Sequence, residues 1–217
     1  MATAADIVAA YKIDRALAQS VVDVSRRVGI ADPGWLANAI DFESGHTWSP
    51  KMKNPGSTQA TGLIQFTSPR ASQMGTSLSS LGQMSALQQM EYVARYFDLI
   101  RKERKVAGFG SQLDVYMAIF YPAAIGKGAS YAFPAGIADQ NHGIRTAQDY
   151  ANLANKYAKL PTGALSATLA TVQTAVSNVS ATAGAAAVDW RLWSLAGAVG
   201  VFGVVGVIWW IYSGRKR

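Results

Sequence analysis

A chain of 217 residues, half of them hydrophobic and 15% charged, is long enough for one domain plus an appendage and carries more apolar groups than a soluble domain needs. Without cysteine it has no disulfide framework, thiolate metal site or cysteine nucleophile, and two histidines, His46 and His142, argue against a histidine-rich metal centre; no metal or cofactor is expected. The net charge of +7 suits loose attraction to polyanions, but no nucleic-acid-reading motif accompanies it, so no specific nucleic-acid partner is expected.

The start of the chain places Asp6, Lys12, Asp14 and Arg15 before any long apolar run, which is not the pattern of a secretory signal peptide. From Asp14, a candidate N-cap, Leu17, Val21, Val24 and Val28 recur at helical spacing until Gly29. Asp32-Pro33 starts a second helix, with Asp as N-cap and Pro pre-set for the first turn. In it Leu36, Ile40 and Glu43 fall at i, i+4 and i+7, which puts a carboxylate on the apolar face, and Gly45 stands where a C-terminal cap belongs. The alternative for Glu43 is a helix-end residue whose side chain bends to water.

Residues 46 to 60 read as a loop from their Pro, Gly, Asn, Ser and Lys content, and Thr61 to Phe66 as a buried turn or a short strand. Ser68-Pro69 opens a short helix. Ser85 with Gln88 forms a capping box before a long helix to about Lys105, with Leu87, Met90, Ala94, Phe97 and Ile100 as its buried stripe. Leu113, Tyr116, Met117 and Phe120 give another helix, stopped at Tyr121-Pro122. Residues 123 to 144 read as irregular, and Thr146 caps a last helix carrying Tyr150, Leu153, Ala154 and Tyr157 on one side. The fold class expected for residues 1–160 is mainly α.

Residues 161–189 change character to Ala, Ser, Thr, Val and Gly, and read as a flexible linker. In residues 190–217, Trp193 to Tyr212 is a run of twenty residues without a charge, about the length of a bilayer core as a helix. Trp190 and Trp193 at one end, and Trp209, Trp210 and Tyr212 at the other, match aromatic belts; Arg215, Lys216 and Arg217 follow. The expectation is one C-terminal transmembrane helix over residues 193–212, contacting a lipid bilayer, with its C-terminus cytoplasmic or interior and the α domain on the opposite side. Gly197, Gly200, Gly203 and Gly206 are spaced at i, i+3 rather than as GxxxG, so the span sets no oligomeric state.

Glu43-Ser44 followed by Gly62-Leu63-Ile64-Gln65 resembles two successive motifs of the soluble lytic transglycosylase family, relatives of goose-type lysozymes. Ile119 to Gly126 is similar to that family's Ala-Tyr-Asn segment, with Tyr121 at the Tyr and Pro122 where Asn is usual. Tyr150 matches a late tyrosine of the family domain. The likeness covers roughly residues 15 to 155. It implies a lysozyme-like fold and cleavage of the β-1,4 bond between N-acetylmuramic acid and N-acetylglucosamine in peptidoglycan. Glu43 would be the catalytic acid; of the substrate-binding residues, Ser44 and Gln65 would orient the acetamido group and sugar, Tyr121 would hold Glu43 or the acetyl group by its hydroxyl, and Tyr150 would line the same site. For Gln65 the alternative is an amide tying down its turn, and for Tyr121 a helix-end aromatic.

The residues support an acid at Glu43 independently, because a carboxyl on an apolar face is costly to ionise and holds its proton towards neutrality. A second carboxylate across the scissile bond, the usual glycosidase arrangement, has poor candidates in Asp41, Glu91 and Glu103. A single-acid mechanism is the natural alternative, and the resemblance implies one: the substrate's N-acetyl group assists and the muramic acid 6-hydroxyl closes an anhydro ring. An enzyme of the wall without an N-terminal signal, but with a C-terminal anchor, is expected to be carried in a bacteriophage virion, in contact with other virion components, and to act in the host periplasm during genome delivery. The rival expectations are a virion membrane protein that docks on peptidoglycan or forms a channel without catalysis, and a lysozyme-type hydrolase.

Overall fold

The computed structural model describes residues 1–53, 59–141 and 143–162, a mainly helical domain in which β-structure among the described residues is limited to isolated bridges. Its helices are α1 (Ala4–Tyr11), α2 (Arg15–Val28), α3 (Pro33–Glu43), α4 (Ser68–Gln73), α5 (Leu78–Gln83), α6 (Ala86–Arg104), α7 (Gln112–Phe120), α8 (Ala135–Gln140) and α9 (Ala147–Asn155). Among the described residues no helix is long and apolar enough to cross a membrane. The span expected at 193–212, and the linker beyond residue 162, lie outside the described residues.

The helix punctuation follows the side chains. Gly29 closes α2 in the left-handed region at φ 74°, and the chain then runs beside residues 107–109, where Phe109 N–H donates to Gly29 C=O at 2.8 Å. A Cβ on Gly108 would stand 2.4 Å from that carbonyl oxygen, so only glycine permits the approach. Asp32 caps α3 by accepting from Gly34 N–H at 2.8 Å, and it also takes Ala2 N–H at 2.9 Å, tying the chain start to α3. Asp14 occupies the N-cap of α2 as expected, yet its side chain makes no capping bond.

α3 is the central element, packed on α1, α2, α7 and α9. Its residues Leu36, Ala37, Ala39 and Ile40 have no exposed surface. Below the apolar core a polar network crosses the domain. Tyr11 hydroxyl donates to Asn38 Oδ1, Asn38 Nδ2 donates to Gln112 Oε1 at 3.3 Å and to Leu160 C=O at 3.1 Å, and Tyr116 hydroxyl donates to Asn155 Oδ1 at 3.0 Å. Satisfied buried amides of this kind hold α1, α3, α7, α9 and the chain at 160 in one register.

Several expectations change in detail. Leu87 is 49% exposed rather than part of the α6 stripe. At about 100° per residue, the buried face runs through Gln89, Met90, Val93, Ala94, Tyr96, Phe97 and Ile100, which is rotated away from Leu87. The rotation is set by Gln89, whose side chain has no exposed surface and donates to Pro50 C=O at 2.8 Å and Leu81 C=O at 2.7 Å while accepting Leu63 N–H at 3.0 Å. Helices α1, α5 and α8 were not expected; the last two are six residues long, and α8 buries no residue. Residues 61–66 form a turn closed by Thr61 and Phe66, which exchange both backbone hydrogen bonds at 3.0 and 2.8 Å.

Candidate functional site

Glu43 is the last residue of α3, and its side chain points into the domain as the 3.6-residue period requires. It keeps a partly exposed edge while its carboxyl is enclosed, and that enclosure raises its pKa from 4.5 to about 7. The hydroxyl of Tyr150, from α9, donates to Glu43 Oε1 and opposes the shift without cancelling it. No neighbouring charge contributes, so the carboxyl is a lone acid held near its midpoint at neutral pH. The same pair raises the Tyr150 phenol well above its ordinary value, chiefly through burial and then through the Glu43 charge.

Rings pack around the Tyr150 partner of this acid. Phe120 stacks on Tyr150 with centroids 4.5 Å apart, while Phe42 and Tyr116 meet it edge-on at 5.7 and 5.8 Å. The cluster extends through Phe133, 5.2 Å from Phe120, to Tyr121 and Tyr131 at 5.4 and 6.0 Å from Phe133. Phe42, Tyr116, Phe120 and Phe133 were not among the expected site residues. The signal for two of them was present, because Tyr116 and Phe120 lie four apart on the face of α7 that meets α9.

The expected site residues separate. Tyr150 reaches Glu43 across 107 positions of sequence. Tyr121 belongs to the same aromatic cluster, but the hydroxyl on the acid is that of Tyr150, not that of Tyr121. Ser44 is fully buried, and its hydroxyl donates to Asp41 C=O at 3.4 Å and accepts Trp48 N–H at 3.0 Å. In this geometry it fixes the turn after Glu43 rather than facing a ligand. Gln65 stands in the left-handed region at φ 52°, with Nε2 donating to Gly62 C=O at 3.0 Å and Met52 C=O at 3.4 Å, so the amide does tie its turn. Its Oε1 is an acceptor without a hydrogen-bond partner among the described residues.

The other carboxylates are committed elsewhere. Asp41 is 1% exposed and accepts Trp48 Nε1–H at 2.9 Å, while its Oδ2 lies 2.6 Å from His46 Nδ1. These bonds hold a turn in which His46 and Trp48, at φ 63° and 53°, take a backbone conformation unusual for side-chain-bearing residues. Glu91 pairs with Arg27 and Arg95 at 2.9 and 3.1 Å, and Glu103 with Arg70 at 2.6 Å. Among the described residues no group of three or more His, Asp or Glu could hold a metal ion.

An open groove of about 690 Å³, whose lining includes no residue of the Glu43 cluster, has Lys51, Lys53, Gln59, Thr61, Ser79 and Gln83 in its walls. Its wall at Thr61 is the far end of the turn that carries Gln65. Comparison with protein-family models, with curated proteins and with solved structures finds no match to this chain.

Proposed function

We propose that this chain is a peptidoglycan lytic transglycosylase with a lysozyme-like helical domain, and that Glu43 is its catalytic acid and base. The observation that carries the reading is the enclosed Glu43 carboxyl, brought to a pKa of about 7 with no partner carboxylate acting on it. The motif resemblance around Glu43, Gln65 and Tyr121 gives the substrate class.

In the proposed reaction Glu43 gives its proton to the glycosidic oxygen as the bond from muramic acid C1 to that oxygen breaks. The substrate's own N-acetyl carbonyl oxygen bonds to C1 in place of an enzyme carboxylate. The muramic acid 6-hydroxyl then attacks C1, the acetyl oxygen leaves, and the hydroxyl proton passes to the Glu43 carboxylate, which restores the acid. Tyr150 holds the carboxylate through the interval in which it is charged. Gln65 holds the 62–65 turn through its bonds to the Gly62 and Met52 carbonyls. A membrane anchor at 193–212 belongs to the same proposal and rests on the composition of the C-terminal stretch; carriage in a virion and action in the host periplasm are the delivery route proposed for an enzyme so anchored.

The test is incubation of the full chain, in detergent micelles, with purified sacculi, followed by mass spectrometry of the soluble products. Anhydro-muropeptides that disappear with Glu43→Gln are expected. Reducing-end products would assign a hydrolase instead. Absence of products from the unaltered chain, or equal release by Glu43→Gln, would refute catalysis.

A further inference from the structure

We propose that Lys127 and the Tyr121 and Tyr131 rings form a platform that takes the peptide-bearing sugar of a muropeptide, the rings packing its apolar groups and Lys127 taking a carboxylate of its stem peptide. The inference rests on the glycan-cleaving reading of Glu43 and gives that site a selectivity for anionic, peptide-bearing glycan over a neutral one.

The platform is built by the stretch that sequence periodicity leaves irregular. Gly126 and Gly128, at φ 73° and 79°, turn the chain on either side of Lys127, and Tyr131 N–H donates to Gly128 C=O at 3.3 Å. This folds Lys127 back so that its Nζ stands 4.7 Å from the centroid of the Tyr131 ring. Tyr121 lies alongside, its ring 23° from parallel with that of Tyr131. Both tyrosines are partly exposed, while Phe133 beneath them is buried. The partly exposed ring surface left beside the Lys127 ammonium can pack the apolar C–H groups of a pyranose.

The charge of Lys127 is held without being neutralised. A ring face attracts an ammonium but carries no net charge, and among the described residues no carboxylate lies within ion-pair distance of Lys127. Asp114, bonded to the residue before Lys127, accepts Gly126 N–H at 2.8 Å with one oxygen and Ser111 hydroxyl at 2.8 Å with the other. Lys127 therefore presents a localised positive charge beside a ring surface, which suits a glycan carrying an acidic peptide better than either a bare anion or a neutral glycan.

The platform is mechanically continuous with the acid. Tyr131 C=O accepts Ala147 N–H at 2.9 Å, and Phe133 N–H donates to Arg145 C=O at 2.8 Å, so the same strand-like segment docks the start of α9. Four residues into that helix stands Tyr150, hydrogen-bonded to Glu43, and the rings of Phe133 and Phe120 fill the space between.

The experiment titrates the full chain carrying Glu43→Gln, so that ligand is not consumed, with two probes: a muropeptide tetrasaccharide with free stem carboxylates, and the same compound with those carboxylates amidated. The free acid is expected to bind about tenfold tighter at low salt, the range of one charge-assisted hydrogen bond. The preference should vanish in Lys127→Met and persist in Lys127→Arg, while Tyr131→Leu should weaken both probes. Equal affinity of the parent for the two probes, a preference that survives Lys127→Met, or no binding of either probe would overturn the proposal. Failure of catalysis is read separately, from the sacculus products of the unaltered chain, and leaves the titration interpretable.

Discussion

Replacing Glu43 by Gln should make the protein more stable, by an amount that depends on pH. In the folded chain this carboxyl holds its proton up to a pKa of about 7, against 4.5 for the ordinary side chain. Between those values the folded state binds more protons than the unfolded one, so stability falls as pH rises through the window. Below pH ~4.5 both states are protonated and the acid costs nothing by this route. Above pH ~7 the folded chain carries an enclosed carboxylate, at a cost of roughly 3 kcal/mol from about 1.4 kcal/mol per pKa unit. Gln is neutral throughout and its amide oxygen can still accept from Tyr150. Urea unfolding of both proteins at a series of pH values isolates the effect, because every other titrating group cancels in the difference. The variant should match the parent near pH 4 and exceed it by roughly 3 kcal/mol near pH 8. A difference that is flat with pH, or of opposite slope, would refute the assignment of an enclosed, raised acid, whatever the activity shows.

Tyr150→Phe removes the hydroxyl that opposes the shift, so the Glu43 pKa should rise further and the basic limb of the pH-rate profile should move up. The same variant should lose about 1–3 kcal/mol of stability at pH 8, where the carboxylate is charged, and less at pH 5. Asp41→Ala should destabilise by about 3 kcal/mol, because it strips Trp48 and His46 of a buried partner and frees a strained turn; thermal unfolding measures it. Gly108→Ala places a Cβ 2.4 Å from Gly29 oxygen and should cost about 1–3 kcal/mol or prevent folding, whereas alanine at Gly110, which meets nothing within 4 Å, should be tolerated.

Much of the helical frame could be read locally, because its signals are local. Asp32-Pro33, the Ser85–Gln88 box, Thr146 and Gly29 each act within a few residues of the boundary they set. The box at Thr3 and Asp6 that caps α1 was equally present, but eight residues with Ala at half the positions carry too little periodicity to mark a helix. Leu87 shows the limit of pattern alone. Hydrophobic spacing put it on the core side of α6, and a polar residue two positions later turned the helix, since the hydrogen bonds of Gln89 to three separate backbone segments outweigh the burial of one leucine in the first turn.

The site divides in the same way, and Asp41 and Glu43 show why. Two carboxylates two positions apart on one helix point to different sides, which the helical period requires. What period does not reveal is the company each finds. Asp41 meets the Trp48 indole N–H, His46 and, 3.9 Å away, the Lys159 ammonium, all on segments that fold against it, and is used up in holding them. Glu43 meets Tyr150, which donates to it and is itself packed by Phe42, Tyr116 and Phe120. Those rings come from α3, α7 and α9, so the burial that raises the acid arises only when helices far apart in sequence pack together, Tyr150 lying 107 positions from Glu43. The acid could be nominated from its place on the helix; its pKa could be set only by the tertiary fold, and that is the property on which the proposed chemistry depends.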